Sequence, residues 1–241
     1  MGNRRGRGIS RAWGIGGVVV VAGLVVALSG FALSETGDAP ANAGSVPTLP
    51  AAAQTEAAAE PPVLAYIGDS YTTGSTMNTE GKTWTALLNA DLNATAQSLA
   101  VGSNGYVTGD DNFVVQSEQV RPDADVVVLF GSRNDSQGYD AVNAAATTAL
   151  ANVRSRAADA DVIVIAPAWV NTNPPASVRE GRDALRDAAE AASVRFVDAL
   201  DERWLAAGDG LIGADGVHPT DLGHAELLQR IRPLIDEALA S

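Results

Sequence analysis

Three side chains of this sequence could together cleave an ester, and they belong to Ser70, Asp215 and His218. Ser70 ends the tripeptide Gly-Asp-Ser, which directly follows the apolar run of residues 63–67. That run predicts a buried strand, and α/β folds place reacting groups in the polar turn at the end of such a strand. We therefore interpret Ser70 as a nucleophile, with a turn closed by a capping serine as the alternative.

A serine becomes a strong nucleophile when a neighbouring base removes its proton. The sequence contains two histidines, His218 and His224. His218 follows Asp215 by three residues in a turn-forming segment, so the carboxylate can accept a hydrogen bond from one ring nitrogen while the other nitrogen faces Ser70. The alternative is an ordinary turn before a helix with an incidental histidine. We interpret His224, which falls within the predicted final helix, as a partly buried helix residue.

Two further loops could supply hydrogen-bond donors to the oxyanion that develops during acyl transfer. Asn134 follows the apolar run of residues 125–130, which places its side-chain amide on the same sheet edge as the serine. Gly102 and Gly105 follow a possible strand at 96–101 and would let a backbone N–H approach a substrate oxygen closely. An ordinary polar or glycine-rich turn is the alternative for both loops.

Apolar runs and amphipathic segments alternate through the part of the chain that carries these residues. Strands are predicted at 63–67, 96–101, 125–130, 161–166 and 194–197. Helices are predicted at 83–92, 139–157, 177–192 and 220–240. A Ser-x-x-Glu capping box at Ser177 predicts one helix start, and Pro233 predicts a kink in the last helix. The alternation implies one α/β domain over residues 62–241, with a mostly parallel sheet covered on both faces.

The N-terminal part predicts export across a membrane. Residues 1–11 are basic, and residues 12–33 contain no charged side chain. At helical rise the uncharged segment reaches roughly 30 Å, enough to cross a bilayer with the basic end in the cytoplasm. A cleaved signal peptide is the alternative. The Ala- and Pro-rich residues 34–61 cannot bury enough apolar surface to fold and predict a disordered linker.

Composition and charge exclude several classes of function. The sequence has no cysteine, so disulfides, thiolate catalysis and cysteine-ligated metals are excluded. Four arginines before residue 12 are balanced by four acidic residues before residue 61, so the later part carries the whole net charge of −13. A surface this acidic argues against a nucleic-acid partner, which requires basic contacts to phosphates.

The motifs, in their order along the chain, resemble those of the SGNH, or GDSL, hydrolase family. The tripeptide that ends at Ser70 matches the first motif, and the Gly-x-x-Asn-Asp segment around Asn134 matches a later one. Asp215 to Pro219 match the closing Asp-x-x-His-Pro motif. The α/β-hydrolases share the order Ser, Asp, His, but their Gly-x-Ser-x-Gly elbow is missing because Thr72 replaces its second glycine. The resemblance covers about residues 63–240 and implies a three-layer, flavodoxin-like α/β/α domain.

The resemblance also implies an esterase or lipase-like hydrolase that needs no metal or cofactor, and the N-terminal segment would place it outside the cytoplasm. Its substrate would be a small-molecule, lipid or glycan ester. Ser70 would be the nucleophile, His218 the general base and then acid, and Asp215 the residue that orients the imidazole. The implied oxyanion donors are the N–H of Ser70, an N–H in the loop of Gly102 and Gly105, and the Asn134 amide.

Two other functions fit the same sequence. One is a cell-wall or carbohydrate O-deacetylase, or an O-acetyltransferase, that uses the same three residues. The other is a non-catalytic glycan- or lipid-binding module, which the presence of Ser70, Asn134 and His218 disfavours. Two aromatic residues, Tyr106 and Trp169, could line a substrate cleft, but we expect them to pack instead.

Overall fold

A computed structural model of the protein describes residues 60–131, 133–206 and 208–241. Five parallel strands form one sheet in the order β2-β1-β3-β4-β5. The strands are β1 (Val63–Gly68), β2 (Thr95–Ser98), β3 (Val126–Phe130), β4 (Asp161–Ile165) and β5 (Arg195–Val197). Gly68 is in register with Phe130, and Phe130 with Ile165. The three central strands therefore end at the same level, and the loops that follow them lie side by side.

Six helices lie between and after the strands in these described ranges. They are α1 (Ser70–Thr73), α2 (Trp84–Leu92), α3 (Phe113–Ser117), α4 (Tyr139–Arg156), α5 (Ala176–Ala191) and α6 (Asp221–Ala238). Residues of α3, α4 and α5 belong to one apolar core and those of α2 and α6 to another. The result is the predicted three-layer α/β/α arrangement.

The two cores follow from the alternation of side chains along each buried strand. On β1, Ala65 and Ile67 face the core shared with α4 and α5. Leu64 and Tyr66 face the opposite core, which α2 and α6 cover. Both faces of the central strands are buried, which explains why their sequences are continuous apolar runs rather than alternating ones.

The strand order places the site at the point where the chain changes direction across the sheet. From β1 the chain moves outward to β2 and then crosses to β3 on the other side of β1. Open parallel sheets bind ligands in the crevice at such a switch point, beyond the carboxyl ends of the strands. The loops after β1 and β3, which carry Ser70 and Asn134, flank this crevice.

Two predictions about the elements were wrong. The strand predicted at 96–101 is β2, Thr95–Ser98, and residues 99–101 belong to the loop beyond it. β2 is an edge strand with mostly exposed side chains, so it lacks the apolar pattern that marked the other strands. The capping box at Ser177 is absent, because α5 begins at Ala176 after Pro175 and has no side-chain cap. Ser177 therefore lies inside the first turn.

The predicted segments 1–11, 12–33 and 34–61 lie almost entirely outside the described residues. Among the helices that are described, none is both long and apolar enough to cross a bilayer. Pro233 lies inside α6, which continues to Ala238.

Candidate active site

Ser70 is held at the carboxyl end of β1 by a tight turn. The Asp69 carboxylate accepts a hydrogen bond from the Tyr71 N–H at 2.8 Å and so caps the short helix α1, of which Ser70 is the first residue. Gly68 is required at this turn, because a Cβ there would lie 2.3 Å from Oγ1 of Thr72. The side-chain amide of Gln116, in α3, accepts the Gly68 N–H at 2.9 Å and donates to the Gly68 carbonyl at 3.2 Å. Ser70 thus follows a strand end that is fixed on both backbone groups of Gly68.

Asp215 and His218 lie together on a short hairpin, which we define as residues 211–220. Its two arms are joined by backbone bonds from Thr220 to Leu211 and from Gly213 to His218. At the tip, Oδ1 of Asp215 accepts the N–H groups of Val217 and His218 at 2.9 and 3.0 Å. Bonds within the hairpin therefore fix the Asp215 carboxylate relative to the His218 backbone, without help from the rest of the site.

The structure brings Ser70, His218 and Asp215 into one hydrogen-bonded line. Oδ2 of Asp215 lies 2.7 Å from Nδ1 of His218, and Nε2 of His218 lies 3.1 Å from Oγ of Ser70. The hydrogen bonds from the His218 ring, and then those from backbone N–H groups, lower the pKa of Asp215 to about 2. The carboxylate is consequently ionised at neutral pH and favours a proton on Nδ1, which leaves Nε2 free to accept the serine proton.

Two backbone N–H groups point to an oxyanion site beside Ser70. As the first residue of α1, Ser70 has an N–H without an acceptor inside the helix. A Cβ at Gly102 would lie 3.9 Å from that of Ser70, so the Gly102 backbone approaches the nucleophile. Within the described ranges the Gly102 N–H has no acceptor.

The predicted oxyanion role of Gly105 has to be corrected. Its N–H donates to the Thr108 carbonyl at 2.9 Å, within the same loop, and is not available to a substrate. A Cβ at Gly105 would lie 2.4 Å from the Asp135 carboxylate, which accepts three backbone N–H groups of this loop, from residues 106–108. Gly105 is thus needed for the close packing of its loop against Asp135.

Asn134 lies at the site with both hydrogens of its amide engaged. Nδ2 donates to the Asn104 carbonyl at 2.8 Å and to Oδ2 of Asp69 at 3.1 Å. Asp69 is fully buried, and burial raises its pKa to about 6. These bonds orient the amide towards the turn after β1 and the loop after β2. To bind an oxyanion, the amide must share or release one of the two hydrogens.

Three residues that the sequence analysis did not assign to the site, or expected only to pack, lie beside it. The hydroxyl of Tyr71 donates to the Val217 carbonyl at 2.5 Å. Arg133 donates through Nη1 to the Tyr71 hydroxyl and, at 3.3 Å, to the Val217 carbonyl. Its guanidinium carbon lies 4.9 Å from the ring centroid of Tyr71 and 4.8 Å from that of Trp169. In the sequence, the only indication that these residues lie at the site is that Tyr71 follows Ser70 and Arg133 precedes Asn134.

The other candidates take structural positions. His224 is fully buried in α6 rather than partly buried as predicted, and its Nδ1 accepts the Trp84 N–H at 3.4 Å. Tyr106 packs against Phe113, as expected, with 4.7 Å between the ring centroids. Trp169 is partly exposed and stacks on Arg133.

Comparisons with known proteins identify the family. Residues 66–226 match the GDSL-like Lipase/Acylhydrolase family. A GDSL lipase from Mycobacterium tuberculosis is 40% identical over 193 residues, which cover 73% of this chain and 82% of that protein.

Solved structures share the fold at lower identity. A protein from Lactobacillus plantarum has a TM-score of 0.65 at 16% identity, with 73% of this chain and 97% of that chain covered. A family two carbohydrate esterase from Clostridium thermocellum has a TM-score of 0.61 at 17% identity, with 74% of this chain and 64% of that chain covered. The sequence matches and the shared fold lead to one conclusion: this chain belongs to the GDSL-like lipase/acylhydrolase family and is an esterase-type hydrolase.

Proposed function

We propose that this protein is an extracytoplasmic serine hydrolase that cleaves carboxylic esters through an acyl-enzyme. The observation that carries the proposal is the His218 ring, which lies within hydrogen-bond distance of both the Asp215 carboxylate and the Ser70 hydroxyl. An Asp215–His218 hydrogen bond with a purely structural role would not need the second ring nitrogen directed at a serine. The arrangement matches the roles of nucleophile, base and orienting group.

In the acylation step, Oγ of Ser70 attacks the ester carbonyl carbon while Nε2 of His218 takes its proton. The carbonyl oxygen becomes an oxyanion, and the imidazolium is stabilised by Asp215. The tetrahedral intermediate collapses as the C–O bond to the alcohol breaks and His218 gives its proton to the departing oxygen. In the second step, His218 removes a proton from water, which attacks the carbonyl carbon of the acyl-enzyme. The bond from that carbon to Oγ of Ser70 then breaks, His218 returns the proton to Oγ, and the acid leaves.

The oxyanion is stabilised by the N–H groups of Ser70 and Gly102 and by the Asn134 amide. The backbone donors are fixed by the turn after β1 and the loop after β2, so they need little rearrangement when charge develops. Asn134 contributes when one of its hydrogens turns from the Asp69 carboxylate or the Asn104 carbonyl to the substrate.

We further propose that the domain acts outside the cytoplasm, held at the membrane by residues 12–33. The support is the uncharged segment with its basic flank at residues 1–11, followed by the linker of residues 34–61. Secretion after cleavage of a signal peptide is the second candidate for the same export route.

A glycan O-deacetylase is the alternative function, because a carbohydrate esterase shares the fold and a membrane tether would hold the domain near envelope glycans. An O-acetyltransferase would use the same acyl-enzyme with a sugar hydroxyl in place of water. A non-catalytic binding module would not require the aligned Ser70, His218 and Asp215.

The test is hydrolysis of p-nitrophenyl esters from acetate to palmitate by the purified full chain in detergent. Ser70→Ala is the matched variant, because it removes only the hydroxyl. We expect turnover by the wild type and nearly complete loss in the variant. The chain-length profile separates a small acyl pocket from a lipase-like one, and release of acetate from acetylated glycans identifies a deacetylase.

Full activity in a folded Ser70→Ala protein would contradict the mechanism. No turnover of any ester, together with no labelling of the wild type by a fluorophosphonate, would favour the binding module.

A further inference from the structure

The carbonyl of Val217, the residue before His218, is bound by two side chains from other segments, one from α1 and one from the loop after β3. The Tyr71 hydroxyl donates to it at 2.5 Å, and Nη1 of Arg133 at 3.3 Å. Arg133 also donates to the Tyr71 hydroxyl, so that hydroxyl both accepts and donates a hydrogen bond. Helix α1, the loop after β3 and the hairpin therefore meet at one carbonyl oxygen next to the site. We call Tyr71, Arg133 and the Val217 carbonyl the hairpin clamp.

Each member of the hairpin clamp adjoins a residue proposed to take part in the reaction. Tyr71 follows Ser70, Arg133 precedes Asn134, and Val217 precedes His218. The clamp thus runs beside the Ser70–His218 hydrogen bond, one residue away along each chain segment. Any shift of the hairpin relative to α1 would change both contacts together.

Both side chains of the hairpin clamp are held firmly. Tyr71 is 2% exposed, and its ring packs edge-on against Phe130 with 6.4 Å between centroids. Burial raises the pKa of Tyr71, so its hydroxyl stays protonated and remains a donor. Arg133 stacks on the rings of Tyr71 and Trp169 and, among the residues that the structure describes, forms no ion pair with a carboxylate. Its position is therefore set by stacking and by the hairpin clamp.

The need for a hairpin clamp follows from how the site is divided along the chain. The Asp215–His218 pair lies within one hairpin and orients itself. Ser70 and His218 are 148 residues apart, so their 3.1 Å contact depends on how the hairpin docks. Misplacing a reacting group by about 1 Å can lower a rate by roughly 10²-fold.

We propose that Tyr71 and Arg133 are positioning residues, which hold the hairpin of residues 211–220 so that His218 reaches Ser70. This inference rests on the proposed serine mechanism and adds to it two residues that do not touch the reacting atoms. Stacking by Trp169 keeps the Arg133 guanidinium on the Val217 carbonyl.

The first test compares Tyr71→Phe with the wild-type full chain. The control is Tyr66→Phe, since Tyr66 is a buried tyrosine of the same core, and its hydroxyl donates to Oδ1 of Asn89 in α2 at 2.5 Å rather than to the hairpin. We expect kcat for p-nitrophenyl acetate to fall about 10- to 100-fold in Tyr71→Phe, with KM within about twofold. Tyr66→Phe should lower the melting temperature similarly and leave kcat within about twofold.

The second test compares Arg133→Met with Arg133→Lys. The methionine removes both charge and donors, whereas the lysine keeps a cationic donor and should recover part of kcat. In Tyr71→Phe/Arg133→Met, the loss should be smaller than the product of the two single losses, because both side chains act on one carbonyl. The rate of Ser70 labelling by a fluorophosphonate should fall in step with kcat.

The outcomes separate this inference from the proposed function. Loss of activity in Ser70→Ala with wild-type kcat in both Tyr71→Phe and Arg133→Met would overturn the hairpin clamp and leave the serine mechanism intact. A rise in KM alone in Arg133→Met would overturn it as well, because Arg133 would then contact substrate. Retained activity in Ser70→Ala would overturn the mechanism itself.

Discussion

His218 and His224 differ in the hydrogen-bond partners of their ring nitrogens. Both nitrogens of His218 have partners, Asp215 and Ser70. In His224, Nδ1 accepts a backbone N–H, and Nε2 is buried without a hydrogen-bond partner among the described residues. Because Nδ1 accepts this bond, Nε2 carries the proton of the neutral ring, and a second proton would have to go on the buried Nδ1, which faces the Trp84 N–H. Burial accordingly lowers the pKa of His224 to about 4. The ring of His218 is placed for proton transfer with Ser70, whereas the ring of His224 resists protonation.

The buried histidine should make the fold sensitive to acid. The pKa of His224 is lower in the folded chain than the value of about 6.5 in the unfolded chain. Its contribution to stability is therefore complete above pH 6.5 and is lost as the pH falls towards 4. Between pH 7 and 5, the free energy of unfolding should fall by about 2 kcal/mol more in the wild type than in His224→Gln.

Urea unfolding of both proteins at the two pH values measures this difference. The raised pKa of Asp69 acts in the opposite direction, but it is present in both proteins and cancels in the comparison. Equal pH dependence in the two proteins would show that His224 is protonated in the fold without cost.

Asn134 is a donor whose two hydrogens already have acceptors in the structure. Replacing it by alanine should lower kcat roughly 10²- to 10³-fold, because one oxyanion donor is lost, and should change KM little. Steady-state kinetics on p-nitrophenyl acetate, with a melting curve as the folding control, measure the effect. Asp69→Asn is the companion variant, since it removes the carboxylate to which the Asn134 amide donates in the structure. An unchanged kcat in Asn134→Ala would remove Asn134 from the oxyanion site.

At the level of elements, helix α6 and the hairpin of residues 211–220 are packed too closely for a side chain between them. A Cβ at Gly223 would lie 2.2 Å from the Leu211 carbonyl oxygen and 2.9 Å from Cβ of Pro219. Thr220 caps the same helix through its hydroxyl, which accepts the Gly223 N–H at 3.2 Å. The start of α6 and the base of the hairpin thus form one unit, and they must move together.

Gly223→Ala should consequently disturb catalysis as well as stability. The obstacle is a backbone carbonyl, so the hairpin has to shift and His218 with it. We expect a loss of about 1–3 kcal/mol in stability and a fall in kcat of at least about tenfold. Chemical denaturation and ester hydrolysis measure the two effects. Leu222→Ala is the control, because Leu222 is 63% exposed and its loss should change stability by no more than about 0.5 kcal/mol.

The sequence predicted those elements whose pattern is set by burial and missed, or misplaced the ends of, those that lack such a pattern. β1, β3 and β4 are apolar runs because both of their faces are covered, and they were located within about one residue. The edge strand β2 has no such pattern, and the apolar residues 99–101 drew the prediction past its end. The short helix α3 spans five residues, and residues 211–220 pair with each other across a short turn, so neither is long enough to show a periodicity.

The same distinction holds within the site. Ser70, Asp215, His218 and Asn134 were predicted because chemistry restricts them to a few residue types in short motifs. Tyr71 and Arg133 were not, because their role exists only once Val217 lies beside them. Gly102 and Gly105 could not be separated in sequence, since the difference is which N–H already has an acceptor within its loop.

For the molecule as a whole, the described residues from 60 onwards contain both apolar cores and every residue proposed for catalysis. The residues after 60 carry the net charge of −13, which suits a domain in bulk solvent. We therefore expect the segment of residues 34–61 to serve only as a connection to the membrane.

Protease added to intact cells should cut within residues 34–61 and release an active domain. An Ala- and Pro-rich segment with few apolar residues is cleaved easily, and the folded domain should resist. Hydrolase activity in the supernatant, compared with untreated cells, measures release, and a cytoplasmic marker protein is the control for lysis. Activity that stays with the cells, protected until they are lysed, would contradict the outward orientation.

The distance of 148 residues between Ser70 and His218 has a consequence for how activity arises during synthesis. The sheet from β1 to β5 is complete before the hairpin of residues 211–220 has been made, so a growing chain can assemble its nucleophile and oxyanion donors without a base. Hydrolysis then begins only when the last helix has emerged and docked. A chain stalled after β5 should be folded in part yet unreactive, which would spare esters inside the cell from a protein that we propose acts outside it.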